Sequence, residues 1–356
     1  MVKMNILVIG AGIFGVTTAL KLSEKHNVTL VDSNSDIMLN ASKNNHNRIH
    51  FGFHYPRSVE TAEQSLDGYE SFSVNFKESI LGEFPNYYMI EKNSKIKSDD
   101  YVKFCNRLNL NIKDEKPNIN MDYTNIESSF LTMEQVFDYE KLVDNLKIRL
   151  SYSNVSIVLN KTIKTISDVS VYDVIINSTY SNINVIKEIF NLPKTKLKLQ
   201  SVIIPIVDIN MDKIGLTIMD GGYCSLMPKG LSDNKFLLYH VEDSVIDQYE
   251  QYKSPKNWEL YKSLTKIDIF DKIYQKYSIE PKINRICKSS MKYFSFLEDS
   301  KNVGYYKTVR ALPINNDDAR LSEIGYEIVN NQKIISILSG KVTTCWSIAD
   351  KISDII

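Results

Sequence analysis

The sequence offers no cysteine framework. Its four cysteines, Cys105, Cys224, Cys287 and Cys345, are widely scattered, with no C-x-x-C pair and no zinc-ligand spacing. They read as reduced, buried thiols rather than disulfide partners or metal ligands. Charge of either sign is not in excess: 43 basic residues meet 43 acidic ones. That removes the electrostatic footprint expected of a nucleic-acid or anionic-membrane partner. No apolar run approaches the length needed to span a bilayer. Repeats and low-complexity linkers are missing too. The first core strand begins at Asn5, which leaves no room for a secretory leader and sets a cytoplasmic expectation. What remains is an ordinary globular composition, 43% hydrophobic and 10% aromatic, over 356 residues. That length suits one large domain or two interleaved ones.

The strongest positive signal lies at the start. Asn5 to Ile9 is β-branched and apolar, reads as a buried strand, and ends at Gly10. Gly10, Gly12 and Gly15 then complete G-x-G-x-x-G around Ile13 and Phe14, and Thr17 to Glu24 continues as a helix. Glycines at this spacing make the tight turn, let backbone approach a pyrophosphate, and allow strand and helix to touch. The helix N-terminus adds free N–H groups and a partial positive charge. A second strand, Asn27 to Val31, ends in Asp32 and Ser33, where an acid holds ribose hydroxyls. Strand, loop, helix, strand and acid follow in order, which predicts a dinucleotide-binding β-α-β unit.

Further along, the pattern predicts a helix over 59–79, a strand with alternating faces over 83–92, and a helix over 133–154 with Val136, Leu142, Leu146 and Leu150 on one side. Strands are predicted at 155–166 and 171–182. From 197 to 310 strands dominate, broken by a helix-rich stretch at 256–277. A strand at 334–340 and a helix at 343–356 close the chain. The predicted class is α/β, with α+β character in an insertion. An interrupted Rossmann half would comprise 1–80, 133–195 and 320–356, and a strand-rich substrate half 81–132 and 196–319. An interrupted nucleotide-binding half suits a flavoprotein, whose reacting ring reaches the seam between the halves. Asp32 keeps a nicotinamide-dependent dehydrogenase open as the alternative.

Three stretches together resemble the FAD-dependent oxidoreductases of the D-amino-acid oxidase type, a group with glycine oxidase, glycerol-3-phosphate dehydrogenase and L-2-hydroxyglutarate dehydrogenase. The first is the glycine loop with Asp32. The second is ASKNNHNRIHFGFHYPRS, 41 to 58, whose Ile49-His50-x-Gly52 run before Tyr55 and Pro56 is closest to the hydroxyglutarate enzymes. The third is SGKVTT, 339 to 344, similar to the closing G-G-K-x-T-T signature. The resemblance implies non-covalent FAD, a small polar and anionic substrate oxidised at CH–OH or CH–NH, and no nucleic-acid partner; it leaves the electron acceptor open. A flavin-bearing protein without turnover is the remaining alternative. Implied cofactor contacts beside the glycine loop are Ser42, Asn47, Arg48, Ile49 and His50. Others are Thr162 and Ile163, Ser178 and Thr179, and Gly340, Lys341, Val342 and Thr343.

The chain also departs from that family. Asp32 stands where Glu is usual, and Ser339 replaces a glycine. Asn177-Ser178-Thr179-Tyr180 stands where a glycine-containing turn of the N-A-T-G kind is expected, so the pyrophosphate neighbourhood is reshaped there.

Oxidation of a hydroxyl or amine needs a group to take the O–H or N–H proton. His50 is the first candidate, either as that base or as a flavin-orienting group, since a histidine titrates near neutrality. Tyr55, His54 and Tyr223 are further candidates. His54 follows His50 by four residues, but glycine within HFGFH argues against a helix, so no metal site is read from the pair. Arg310 in TVRALP resembles an arginine near the family's active site and offers a fork for a carboxylate. Lys341 would stabilise negative charge on the reduced flavin. Asp220-Gly221-Gly222 reads as a turn, after which Tyr223, Ser225 and Met227 share one strand face and Cys224 and Leu226 the other. Tyr239 and Glu242 read as a strand end at the surface.

Overall fold

In chain order, the nucleotide-binding unit predicted from the glycine loop appears as β1 (Asn5–Ile9), α1 (Ile13–Ser23) and β2 (Asn27–Val31). This is a computed structural model, which describes residues 2–232, 234–250, 259, 278–314 and 320–356. The predicted helix-rich stretch at 256–277 lies, except for Glu259, outside the described residues. The chain continues through β3 (Arg48–Ile49), α2 (Val59–Phe76), β4 (Asn86–Glu91), α3 (Ser98–Arg107), β5 (Lys113–Asp114), β6 (Ile126–Thr132) and β7 (Gln135–Val136). Next come α4 (Tyr139–Ser151), β8 (Val155–Val158), β9 (Val174–Asn177), α5 (Ile183–Ile189) and the long β10 (Leu197–Asp208). Strands β11 (Gly215–Met219), β12 (Cys224–Pro228), β13 (Lys235–His240) and β14 (Val245–Glu250) follow, antiparallel to their partners except that β11 runs parallel to β4. After a helix at Ile279–Ser290 come β15 (Lys301–Pro313), β16 (Glu323–Val329), β17 (Gln332–Leu338) and a closing helix at Cys345–Ile355.

One sheet has the order β16-β17-β9-β1-β2-β8, parallel except for the β16–β17 hairpin. Its strands come from the N-terminus, the middle and the C-terminus, the interruption that the sequence order implied. β1 is apolar and buried from Ile6 to Ile9, where both its faces are covered. Ile6 and Val8 pack with α1, α4 and the closing helix, while Leu7 and Ile9 pack with Val169, Ile186 and Phe190. Burying each such side chain stabilises by about 1.5–3 kcal/mol. The Thr17 hydroxyl donates to Ile13 O at 2.8 Å and reaches Cys345 O at 3.2 Å, which ties α1 to the closing helix.

The second sheet has the order β14-β10-β13-β12-β11-β4-β6-β5, with β15 also paired to β10. One face is covered by the Ile279–Ser290 helix and by Tyr293, Phe294 and Leu297. A two-stranded ladder, Arg48 opposite Val136 and Ile49 opposite Gln135, crosses between the two sheets.

Several predicted elements are shorter than expected. The helix predicted from 133 begins at Tyr139, because Val136 belongs to β7 and Asp138 caps the helix by accepting the Lys141 N–H at 2.9 Å. The first helix begins earlier than expected, at Ile13. The strands predicted at 155–166 and 171–182 span only Val155–Val158 and Val174–Asn177. β4 alternates as expected, Tyr87 and Met89 facing one cluster and Tyr88 and Ile90 another, but all six of its residues are buried because both faces are covered.

Candidate active site

The glycine loop turns where the sequence requires it. Gly10 has φ +101, and a Cβ there would stand 2.8 Å from Ser178 O. A Cβ on Gly15 would fall 1.7 Å from Gly10 O, so α1 can approach the strand end only with glycine. The Ile13 N–H donates to Ser42 Oγ at 3.0 Å. The N–H groups of Gly12, Phe14 and Gly15 have no partner among the described residues. They are therefore available to an anion at the start of an 11-residue helix.

Gly12 and Phe14 line a slot of about 170 Å³ between the glycine loop, Ser178 and the closing segment Ser339–Val342. The slot meets a larger cavity of about 570 Å³, and Ala41, Asn45, Tyr180 and Lys341 line both. The closing segment is fixed by a short relay. Gly340 N–H donates to Ser322 Oγ at 2.8 Å, and Ser322 N–H donates to Gln64 of α2 at 2.7 Å.

The other expected cofactor residues divide. At the end of β2, Asp32 accepts the Ala11 N–H at 2.6 Å and both the backbone and side-chain N–H of Asn34 at 2.7 and 2.8 Å. It braces the loop and retains part of its acceptor capacity. Ser33 and Thr162 are exposed, and the backbone at Asn160 and Lys161 bonds to Asn34 O and Asp32 O. Ser178 Oγ donates to Ile9 O and Gly10 O, and Thr179 Oγ1 to Asn177 Oδ1 at 2.7 Å. Asn47, at φ 53, has a buried Oδ1, and Thr343 a buried hydroxyl, without a partner among the described residues.

Three of these assignments need correction. The side chains of Ile49 and Ile163 are core residues, so only their backbone could meet a cofactor. Arg48 does not line the slot; it lines the larger cavity, and its guanidinium bonds into the strand-rich sheet. It donates to Tyr88 Oη at 2.5 Å, Glu134 Oε2 at 3.1 Å and Thr217 Oγ1 at 2.9 Å. Tyr88 donates in turn to the same carboxylate oxygen. This charge pair is fully buried and its bonding atoms are shared by β3, β4 and β11.

His50 lies in the larger cavity. Its Nδ1 is 3.5 Å from Glu134 Oε1 without a hydrogen bond, and its Nε2 is 3.5 Å from Tyr55 Oη. Glu134 Oε1 accepts the Phe51 N–H at 3.0 Å, which sets the backbone just after His50. Burial, and then the charges of Lys341, Arg48 and His46, hold the His50 pKa well below the ordinary histidine value. His54 is depressed in the same way, chiefly by burial, and its ring leans on Tyr55 and Tyr88. The His50 and His54 ring centroids are 5.7 Å apart, and no group of residues among those described could hold a metal ion. Lys341 lies over the Tyr55 ring, its Nζ 4.3 Å from the centroid. Burial, with Arg48 adding to it, lowers its pKa to about 7.

Arg310 reaches the same cavity from β15. Its Nε and Nη2 donate to Gln200 Oε1 at 3.2 and 2.6 Å, and Nη1 to Tyr239 Oη at 2.6 Å. Of its five N–H donors two remain. Tyr239 thus belongs to the cavity, not the surface, and His46 packs edge-on against it. Within β12 the predicted alternation holds, with Ser225 and Met227 on one face and Cys224 and Leu226 packed into the core on the other. Tyr223 precedes the strand, donates to Glu91 at 2.9 Å, packs on Tyr293 and, like Ser225, lines the cavity. Burial and that bond to Glu91 push the Tyr223 pKa up to about 12, so it is not a base. Arg57 pairs with Asp220 at the cavity wall, as an ordinary ion pair would. Sequence reasoning missed Glu134, Tyr88, Gln200 and His46, because each acquires its role through partners distant in the chain.

The comparisons agree with this geometry. A sequence-family profile described as FAD dependent oxidoreductase matches residues 5–266. The chain belongs to that family. It is an FAD-dependent oxidoreductase, and the slot fits its cofactor: Gly12 and Phe14, whose N–H groups have no partner among the described residues, line the space that a dinucleotide pyrophosphate would need. Glycine oxidase from Geobacillus kaustophilus has a similar structure, with a TM-score of 0.74 at 9% identity over 99% of this chain and 95% of that one. NikD, an amino acid oxidase essential for nikkomycin biosynthesis, gives a TM-score of 0.72 at 9% identity, covering 99% and 94%. Glycerol-3-phosphate dehydrogenase from Bacillus halodurans, solved with FAD, gives 0.62 at 15% identity, covering 99% of this chain and 64% of that one. No curated protein sequence matches the chain. Among the described residues no helix is long and apolar enough to cross a membrane.

Proposed function

We propose that this flavoenzyme oxidises the CH–OH group of a small anionic substrate, with Arg310 holding the anion and His50 taking the hydroxyl proton. The observation that carries the reading is Arg310 itself. Gln200 and Tyr239 fix its guanidinium in the wall of the cavity that holds His50, with two N–H donors left over. Such a fork matches a carboxylate or phosphate. FAD, when bound, supplies the two-electron oxidant that accepts the substrate's hydride. The protein supplies the rest: the hydroxyl proton passes to the imidazole, and the carbon–oxygen double bond forms as C–H and O–H break. A neutral histidine is in the right state to receive that proton. The Ile49-His50-x-Gly52 loop, closest in pattern to hydroxy-acid enzymes, favours a hydroxyl over an amine.

The test is anaerobic reduction of the bound flavin by a panel of 2-hydroxy acids, sugar acids, polyol phosphates and amino acids. Bleaching by a hydroxyl-bearing anion is expected. Bleaching by amino acids alone would overturn the hydroxyl assignment, and substrates without an anionic group that reduce the flavin equally well would overturn the role of Arg310.

A further inference from the structure

The turn after β9 carries a residue that its backbone disfavours. Tyr180 has φ +52, in the left-handed region where a bulky side chain is an outlier. Contacts on its far side hold it there. The Ala311 N–H donates to Tyr180 Oη at 3.1 Å, one residue beyond Arg310 on β15. Its ring packs against a cluster that includes Leu199, Val309, Ala311 and Leu338. The side chain forms part of the wall of both the cofactor slot and the larger cavity.

A glycine would adopt this φ without strain. It would, however, leave nothing to span from the slot to the strand that carries Arg310. Strain of this kind persists where surrounding structure over-determines it, and here the hydroxyl and the ring are both held. The geometry points to Tyr180 as a positioning residue: its ring is a contact face for the isoalloxazine of FAD, and its hydroxyl sets the spacing between that ring system and Arg310. The inference rests on reading the larger cavity as the substrate site.

The experiment uses the holoenzyme of Tyr180→Phe beside the parent, with FAD content fixed by absorbance. Tyrosine in contact with an excited flavin quenches its emission by electron transfer, and phenylalanine does not. Emission of the bound flavin should rise at least twofold in Tyr180→Phe. Benzoate then probes the spacing, through its perturbation of the visible flavin band. Its apparent affinity should weaken at least fivefold in Tyr180→Phe, which leaves the Ala311 N–H without its acceptor. Arg310→Met should abolish the perturbation. Unchanged emission with full FAD overturns the contact, and a change in emission with unchanged benzoate affinity overturns the spacing role. A folded Tyr180→Phe that has lost FAD overturns this division of roles, since the ring assigned to the flavin is still in place. If benzoate leaves the parent's spectrum unmoved, the Arg310 reading fails, and emission still decides the place of Tyr180.

Discussion

At His50, burial and the charges of Lys341, Arg48 and His46 act in one direction, so the imidazole is neutral through the physiological range. A neutral base accepts a proton, and general-base catalysis contributes about 10²–10⁴-fold. His50→Ala should therefore slow anaerobic flavin reduction by that order in stopped flow while FAD stays bound. An unchanged rate would leave His50 a flavin-orienting group and move the search to Tyr55 and His54. Tyr223 is set aside, because its hydroxyl is committed to Glu91. Lys341 makes a second prediction. Its pKa falls from 10.5 to about 7 on folding, since burial penalises the charged form. Between those values the unfolded chain binds the extra proton, so stability rises with pH across the window. Below about pH 7 both states carry the charge, and the folded state bears its full penalty. In the FAD-free protein, Lys341→Met should gain most over the parent at pH 6, and the gain should shrink towards pH 10.5. A difference independent of pH, measured by urea unfolding, would show that Lys341 is not desolvated.

Among the elements, the Arg48–Glu134 pair joins β3 to the strand-rich sheet with both side chains almost wholly buried. Removing one partner from such a pair leaves a bare buried ion, at a cost of about 3–5 kcal/mol. Glu134→Leu should lose stability on that scale, and Arg48→Met with Glu134→Leu should recover part of it in a double-mutant cycle. Additive losses would mean that the two side chains act separately. This pair also marks where the sequence stops being legible. The β1-α1-β2 unit could be read because its signals are local: an apolar run, three glycines and an acid within one short stretch. β4 could not be read as fully buried, because its second face is covered by elements that lie elsewhere in the chain. Glu134 sits in an unremarkable stretch, LTMEQV, and acquires meaning only when Arg48 and Tyr88 reach it. Tyr239 is similar: it reads as a strand end at the surface, and Arg310, 71 residues away, brings it into the cavity.

In the whole molecule, the cofactor slot is built from the first strand-loop-helix, the turn after β9 and the segment before the closing helix, so FAD binding must act on the stability of the entire nucleotide-binding sheet. A ligand at one hundred times its Kd stabilises a protein by about 2.7 kcal/mol. Non-covalent FAD should therefore raise the melting temperature in proportion to the logarithm of its concentration, and denaturation should release it. Asp32 separates two contributions to that shift. Its carboxylate braces Ala11 and Asn34 in the free protein, so Asp32→Ala should lower the melting temperature even without cofactor. If the carboxylate also accepts the ribose hydroxyls, losing that charge-assisted pair costs about 1.5–3 kcal/mol of affinity, or roughly ten- to a hundredfold. The informative quantity is then the rise that FAD produces in each variant, not the melting temperature itself. At one hundred times the parent's Kd, that rise should fall by about half or more in Asp32→Ala. An equal rise in parent and variant would confine Asp32 to bracing the glycine loop and leave the ribose to other groups.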